Sequence, residues 1–301
     1  ARLQKALTLI ELKKTKDALA TLEEAAQGAQ AARAQYWRGV LLADGEKWAD
    51  AERALRASLA AAPDAQTAAL ARLRLAVVLQ RLDRMDEAVD QIEPLLDQPE
   101  LVADNPALVE WAVRRRFDQG QYERTARAAE ALAQNAREAS WRQIGWHWAG
   151  ASQTQLGNDQ AATGFYEKAV AEKAQTREGA ESQLLLAGLD LQAGRAASAA
   201  ERYAAAAEAA AGDDAAGLRA RAYFGLGEAA EAAGQADKAA RHFLSVAVLY
   251  DDPEWAPHSL FRAGRLYDGL GKPKERDSAW RELRSRYPES SFAQQVEARA
   301  P

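Results

Sequence analysis

The sequence predicts an all-α fold built from about eight stacked helix-turn-helix repeats. Two observations favour it: small residues recur at a nearly fixed interval along the 301 residues, and apolar residues between them recur at helical spacing. An interval of 20 to 50 residues is typical of stacked-repeat proteins. A third observation excludes sheets, because no stretch alternates apolar and polar residues as a half-buried strand would.

The interval is read from a small residue that, in most repeats, precedes a bulky one by four positions. In "EKWADAERAL" Ala51 precedes Leu55, and in "GNDQAATGFY" Ala162 precedes Tyr166. We call these small residues marker positions. They are Ala18, Ala51, Ala88, Thr125, Ala162, Ala199, Ala239 and Arg276, separated by 33, 37, 37, 37, 37, 40 and 37 residues.

Each interval is predicted to hold two amphipathic helices separated by a short break. Glycine occupies that break in five repeats, at Gly120, Gly157, Gly194, Gly234 and Gly271. Glycine suits the end of a helix because it adopts positive φ without a Cβ clash. Pro63 and Pro288 are expected to close two of the second helices, since proline cannot continue them.

The marker alanines are predicted to lie where the two antiparallel helices of a repeat cross. A large side chain there would cost about 1–3 kcal/mol through overpacking. Four glycines lie twelve residues before a marker and are expected to be the matching small residues on the first helix. They are Gly39, Gly150, Gly227 and Gly264.

This pattern resembles the tetratricopeptide repeat. Three stretches have the residues that are typical of the family. The first has Gly39, Trp48, Ala51, Leu55 and Pro63. The second has Trp146, Gly150, Gly157, Ala162, Tyr166 and Ala169, and the third has Tyr223, Leu226, Gly227, Gly234, Ala239 and Phe243. The pattern is less complete around Thr125 and Arg276. The resemblance spans essentially the whole chain and implies a right-handed α-solenoid. The dominant spacing of 37 residues exceeds the family's usual 34. In this longer repeat the chain resembles tetratricopeptide proteins of the bacterial cell envelope.

The resemblance implies one solenoid over 1–301. Its repeats are predicted at 1–31, 32–65, 66–104, 105–139, 140–178, 179–216, 217–254 and 255–289, with a C-terminal capping helix at 290–301. Ser291 and Gln294 form a pattern like a capping box at the start of that last helix.

Composition excludes several classes of function. A net charge of −5 argues against nucleic acid, which needs a concentrated basic face. No run approaches the roughly 18 apolar residues of a membrane span. The absence of cysteine removes disulfides, thiol nucleophiles and thiolate metal sites.

Catalytic and cofactor chemistry is not predicted. The three histidines, His147, His242 and His258, form no i, i+3 or i, i+4 pair, so no metal site is expected. No nucleophile elbow or phosphate-binding glycine loop is present. Trp146 and Trp148 permit an aromatic cage for a sugar or quaternary amine, with structural packing as the alternative. We therefore expect neither an enzyme nor a small-molecule cofactor.

The resemblance also implies a partner-binding surface, because the first helices of tetratricopeptide repeats line a concave face. The predicted lining residues are Tyr36, Arg114, Phe117, His147, Thr154, Phe224, Glu228, Glu231, Phe261, Arg265 and Asp268. The same positions include Leu73, Val77 and Leu184, of which Leu73 and Leu184 are equally compatible with the core. Aromatic residues mixed with both charge signs suit a peptide or a partner helix better than a polyanion.

The predicted function is a non-catalytic scaffold that binds a protein or peptide partner in its groove, within a bacterial envelope complex. The alternative is an accessory segment that positions a catalytic or membrane domain of a larger enzyme or secretion machine. A start inside a helix at Ala1 favours an excised fragment. The compartment is predicted as periplasm or cell envelope, with cytoplasm as the other possibility.

Overall fold

The computed structural model describes residues 1–210, 215–250 and 252–297, and within them it contains α-helices, one 3-10 turn at Glu93–Leu95 and no strand. The predicted all-α repeat fold is confirmed. The helices are α1 (Arg2–Glu11), α2 (Thr15–Ala25), α3 (Ala31–Asp44), α4 (Trp48–Ala60), α5 (Ala65–Arg81), α6 (Met85–Ile92), α7 (Pro99–Asp104), α8 (Pro106–Asp118), α9 (Tyr122–Asn135), α10 (Ala139–Gln155), α11 (Asp159–Ala171), α12 (Arg177–Gln192), α13 (Ala196–Ala209), α14 (Ala216–Ala232), α15 (Ala236–Leu249), α16 (Trp255–Gly269), α17 (Pro273–Arg286) and α18 (Ser291–Glu297).

The chain divides into two compact units. The N-terminal unit, Ala1–Gln121, contains α1–α8, and the C-terminal unit, Tyr122–Pro301, contains α9–α18. The boundary falls inside the predicted repeat 105–139. The eight repeat boundaries of a single solenoid stay a prediction. Parts of the predicted repeats 179–216 and 217–254, at 211–214 and 251, and the end of the predicted capping helix, 298–301, lie outside the described residues.

Each turn between paired helices has a positive-φ residue five positions before the marker. The five glycines predicted to end first helices have φ between 66 and 76°. Lys13, Glu46 and Asp83 occupy the equivalent turns of the first three pairs, with φ of 57 or 58°. The turn geometry is thus constant along the chain, whereas glycine, which adopts it without a Cβ clash, is present only from Gly120 onwards.

The marker positions are buried, as predicted, from Ala18 to Ala239: Ala51 and Ala199 have no exposed surface and Ala162 has 3%. Arg276 differs, because its side chain lies partly exposed and bonds Asp268 at 2.8 Å. Small size at the marker therefore reflects close approach of two helices in the described pairs.

The expected small-to-small contact is present at Gly39, where a Cβ would lie 3.4 Å from the carbonyl oxygen of the marker Ala51, but the nearest atoms belong to bulky side chains. A Cβ built on Gly39 would lie 2.6 Å from Cγ of Leu55, and one on Gly227 would lie 2.6 Å from Cε1 of Phe243. Each glycine thus receives the bulky side chain that follows the marker by four residues, as a hole receives a knob. The marker alanine brings the helix backbones together, and the glycine makes room for the neighbouring ring or branched chain.

The N-cap of the C-terminal helix α18 lies one residue before the predicted capping residue, Ser291. The amide of Ala293 donates to Oγ of Ser290 at 3.1 Å, so Ser290 caps the helix instead of Ser291. Helix α18 packs on α16 and α17, and Val296 is buried.

In the C-terminal unit, each helix packs on the next along the chain, and the first helices also contact one another. The contacts α10–α12, α12–α14 and α14–α16 place four first helices side by side. They form one face, which we call the first-helix face, while α11, α13, α15 and α17 pack behind as their partners. The candidate partner-binding site lies on this face.

Candidate partner-binding site

A cavity of about 340 Å³ opens on the first-helix face, between α12 and α14. We call it the α12–α14 cavity. Helix α12 contributes Leu184, Leu185, Gly188, Leu189 and Gln192, and helix α14 contributes Arg221, Phe224, Gly225 and Glu228. Its remaining lining residues are Thr154, Asp159, Ala162, Tyr166, Tyr203 and Trp255. The volume is at the lower end of ligand-binding clefts, which span about 300–1,000 Å³.

The cavity walls are mainly apolar and aromatic. Phe224 is 3% exposed, and its ring is held by Phe243 and Trp255, each with its centroid 5.0 Å away. Tyr166 and Tyr203 are 3% and 7% exposed and present their rings and hydroxyls to the same space. Burial raises the pKa of both phenols, so each keeps its proton at neutral pH and can donate a hydrogen bond.

The two tyrosine hydroxyls differ in their partners. The Tyr166 hydroxyl lies 3.1 Å from Oγ1 of Thr154, within hydrogen-bonding distance. The Tyr203 hydroxyl makes no hydrogen bond to the described part of the chain. This hydroxyl therefore faces the cavity, where water or a ligand can form a hydrogen bond with it.

Gly188 leaves the cavity open. A Cβ at this position would meet a single atom within 4 Å outside its own surroundings, the Tyr203 hydroxyl at 3.9 Å, which is ordinary van der Waals contact. Gly225 is the opposite case, because its Cβ would overlap the ring of Tyr203, with Cζ at 2.5 Å. Packing therefore requires glycine at 225 and does not require it at 188.

Charged groups lie at the cavity and beside it. Burial raises the pKa of the Glu228 carboxyl, and Arg262, at 3.5 Å, partly opposes that shift. The same guanidinium bonds Glu231 at 2.6 Å and so joins α14 to α16. Arg221 is exposed and forms no ion pair or hydrogen bond with the described residues. The cavity thus combines mainly apolar walls with three charged residues: Glu228, which is paired, and Asp159 and Arg221, which form no ion pair with the described residues.

The structure brings three of the predicted lining residues, Thr154, Phe224 and Glu228, into this cavity. Glu231 lies beside it through Arg262, while Arg265 and Asp268 are exposed further along α16. Tyr36, Arg114 and Phe117 belong to the N-terminal unit, where Tyr36 is half-buried against Trp37 and Arg114 pairs with Glu110.

The expected exposure of His147, Phe224 and Phe261 is wrong. They are 5%, 3% and 6% exposed, and all three lie fifteen residues before a marker. This position points to the seam between successive first helices: Nδ1 of His147 lies 2.9 Å from Oγ of Ser182 on α12. In the last repeat Arg265 and Asp268, eleven and eight positions before the marker, reach solvent.

Sequence reasoning missed Gly188, Tyr203 and Arg221. Gly188 lies eleven residues before its marker, in the position that Glu228 and Arg265 occupy in the next two repeats. That position was a usable signal, and glycine there indicated an indentation in the surface. Tyr203 gave no signal, because every repeat has a core residue at its position.

His147 also belongs to a cluster that resembles a catalytic triad. Its Nδ1 contacts Ser182, and its Nε2 lies 3.5 Å from a carboxylate oxygen of Glu181. Ser182 has no exposed surface, and its hydroxyl donates to the Glu178 carbonyl at 2.8 Å. A substrate cannot reach this hydroxyl, so the cluster joins α10 to α12 and serves packing.

Trp146 is covered by its own repeat: Phe165 stacks on it at 5.8 Å, and Nζ of Lys168 lies 4.6 Å from its ring centroid. No group of three or more potential metal ligands occurs among the described residues. No helix in the described ranges is both long and apolar enough to cross a membrane.

Comparisons with known proteins match one stretch of the chain to a family model. Residues 258–290 match the model of the tetratricopeptide repeat family. The match falls on the repeat around Arg276, where the sequence pattern is less complete than in the three stretches quoted above. No curated protein sequence matches the chain significantly.

Solved structures with the same helical arrangement are distant in sequence. RapI in its apo form has a TM-score of 0.55 and 11% identity, with 89% of this chain and 79% of RapI covered. BtubC from P. vanneervenii has a TM-score of 0.51 and 16% identity, with 71% and 92% covered. YrrB, described as a TPR protein with an unusual peptide-binding site, has a TM-score of 0.49 and 14% identity, with 66% and 96% covered. The chain has the helical repeat fold of tetratricopeptide repeat proteins, and residues 258–290 match that family directly.

Proposed function

We propose that the C-terminal unit is a non-catalytic binding module, in which a segment of a partner protein lies along the first-helix face. Repeats of this type typically mediate protein–protein interaction. One observation supports the proposal most directly: Gly188 keeps a mainly apolar cavity open at the centre of that face.

Glycine within a helix destabilises it by about 0.5–1 kcal/mol relative to alanine. At Gly225 this destabilisation has a packing reason, because any larger residue would overlap the ring of Tyr203. At Gly188 no packing partner needs it, and the space that glycine leaves is the cavity itself. Glycine at this position destabilises the helix but leaves an apolar cavity, which is suited to binding a side chain of a partner protein.

Charge indicates what the partner segment carries beside that side chain. Three acids of the face are paired, Glu228 and Glu231 with Arg262, and Asp268 with Arg276. Asp159, which lines the cavity, forms no ion pair with the described residues. Arg221 and Arg265 are exposed and have no ion-pair partner among the described residues. An acidic group next to the anchoring side chain would pair with one of these cations, so we expect partner segments with net negative charge.

A displayed library of random peptides, selected on the immobilised full chain, tests this function. We expect enriched peptides that combine a bulky apolar residue with acidic residues, and at least a tenfold loss of their affinity in Arg221→Glu. Arg281→Glu on α17 is the matched control, since Arg281 is also exposed and unpaired among the described residues but does not line the cavity. Failure to enrich any peptide, or equal losses in both variants, would contradict the proposal.

The N-terminal unit and the cellular context extend the same proposal. We infer that Tyr36, Arg114 and Phe117 contact the partner, and that the partner belongs to a bacterial envelope complex. The long repeat spacing and the lack of cysteine support the second inference. Fractionation of cells that express the full-length tagged protein tests the location, and recovery only with cytoplasmic markers would contradict it.

A further inference from the structure

We propose that the α12–α14 cavity anchors one tyrosine side chain of the partner, with the ligand's phenol hydrogen-bonded to the hydroxyl of Tyr203. This inference rests on the proposed function for its biological setting, and its chemistry is testable without a partner.

The cavity favours an aromatic ring. Leu184 and Leu189 on one side and Phe224 on the other provide apolar walls, and the space between them holds about 340 Å³. This volume is sufficient for a large aromatic side chain. Aromatic side chains gain more from burial per rotatable bond than aliphatic ones, because two χ angles order a large surface.

The Tyr203 hydroxyl lacks a hydrogen-bonding partner because its repeat differs from the preceding repeat at one position. Tyr166 and Tyr203 both follow their markers by four residues. Eight residues before the marker, the first of these repeats has Thr154, which lies within hydrogen-bonding distance of Tyr166. The second has Leu191, which packs against the core cluster that contains Tyr203 and has no side-chain hydrogen-bonding group. The phenol of Tyr203 is therefore left for a ligand.

Electrostatics favours a neutral ligand that both donates and accepts. Glu228 raises the pKa of Tyr203, and Arg221 lowers it, so charges of both signs act on this hydroxyl. Moving a charged ring substituent from water into this mainly apolar cavity costs desolvation free energy that a neutral phenol does not incur. A phenol carries no charge at neutral pH, accepts from one neighbour and donates to another.

The test uses side-chain analogues as probes: p-cresol for tyrosine, toluene for phenylalanine, and 4-methylbenzoate for an anionic ring. Binding to the full chain is measured by ligand-observed NMR titration. We expect p-cresol to bind about three- to tenfold more tightly than toluene, because a net hydrogen bond is of that size. 4-Methylbenzoate is expected to bind more weakly than p-cresol.

Two variants identify the site. Gly188→Leu places a side chain in the cavity and should reduce p-cresol binding at least tenfold, whereas Gly164→Leu is the matched control. Gly164 is also within a helix, and a Cβ there would meet nothing within 4 Å, but it does not line the cavity. Tyr203→Phe keeps the ring and should remove the preference for p-cresol over toluene.

Equal binding of p-cresol and toluene, tighter binding of 4-methylbenzoate, or p-cresol binding unaffected by Gly188→Leu would each overturn the inference. Absence of binding by every probe would do so as well. These outcomes are distinguishable from failure of the proposed function. If p-cresol binds as expected but no peptide is enriched on the full chain, the cavity assignment stands and the partner-binding role fails.

Discussion

Two successive helix pairs of the C-terminal unit, α10–α11 and α12–α13, have the same marker spacing and end differently at the surface. In the first pair Ala151 fills the position eleven before the marker, and Thr154 is within hydrogen-bonding distance of the Tyr166 hydroxyl. In the second pair the equivalents are Gly188 and Leu191, and the Tyr203 hydroxyl has no partner among the described residues. Both pairs line the α12–α14 cavity, but the second has a smaller residue at the first of these positions and a hydroxyl without a described partner.

The largest expected effect concerns the seam against which Tyr203 packs. Gly225→Ala should lower the free energy of unfolding by about 1–3 kcal/mol, because the new Cβ overlaps the ring of Tyr203. Urea denaturation measures the change. A neutral or stabilising result would mean that the Tyr203 ring can shift to accommodate a Cβ. The position of its hydroxyl could then not be compared with that of Tyr166.

A smaller effect separates the two tyrosines. Tyr166→Phe should destabilise the protein by about 0.5–1.5 kcal/mol, because the hydrogen bond to Thr154 is lost. Tyr203→Phe removes a hydroxyl without a described partner and should change stability by no more than a few tenths of a kcal/mol. Paired urea denaturation curves decide this, and equal losses in both variants would show that Tyr203 has a partner in solution.

The open position should respond to a methyl group in the opposite sense to Gly225. Gly188→Ala is expected to stabilise the protein by about 0.5–1 kcal/mol, since alanine is the better helix former and its Cβ has room. Thermal unfolding monitored by circular dichroism provides the measurement. Destabilisation would indicate that the helix backbone near Gly188 needs glycine for its own geometry.

In the next helix pair, α14–α15, the position equivalent to Gly188 is occupied by Glu228. Its carboxyl should make the stability of the protein depend on pH. The folded-state pKa of Glu228 is raised by burial, so the folded protein binds its proton more tightly than the unfolded chain does. Stability from this group is present at low pH and is lost as pH rises through the raised pKa. Glu228→Gln lacks that loss, so its stability relative to the natural sequence should improve from pH 4 to pH 7 in urea denaturation. A difference that does not change with pH would contradict the assignment.

The repeat fold was predictable because helix crossings leave a direct record in the sequence. A small residue is required wherever two helices touch, and Ala18, Ala51 and Ala88 are buried where the interval predicts. The contact itself was predicted less well, since Gly227 accommodates the ring of Phe243 instead of facing another small residue. Which atoms meet depends on the rotation of each helix about its axis, and the interval does not encode this rotation.

The site was predicted only in part, for a related reason. Counting positions along the first helices found Thr154 and Glu228, which line the cavity, but also His147 and Phe261, which fill the seams between helices. The cavity is a space where a side chain is lacking, at Gly188, and its other wall comes from the following pair at Phe224. An indentation formed by two repeats is not visible when each repeat is read alone.

The turns described above have a practical consequence for engineering. Lys13, Glu46 and Asp83 hold a left-handed conformation that side chains adopt reluctantly, while the five later turns have glycine. Glycine substitution for greater stability would begin at those three turns, which belong to the N-terminal unit and do not line the α12–α14 cavity. The later turns offer no such improvement, because they already use the residue best adapted to that geometry.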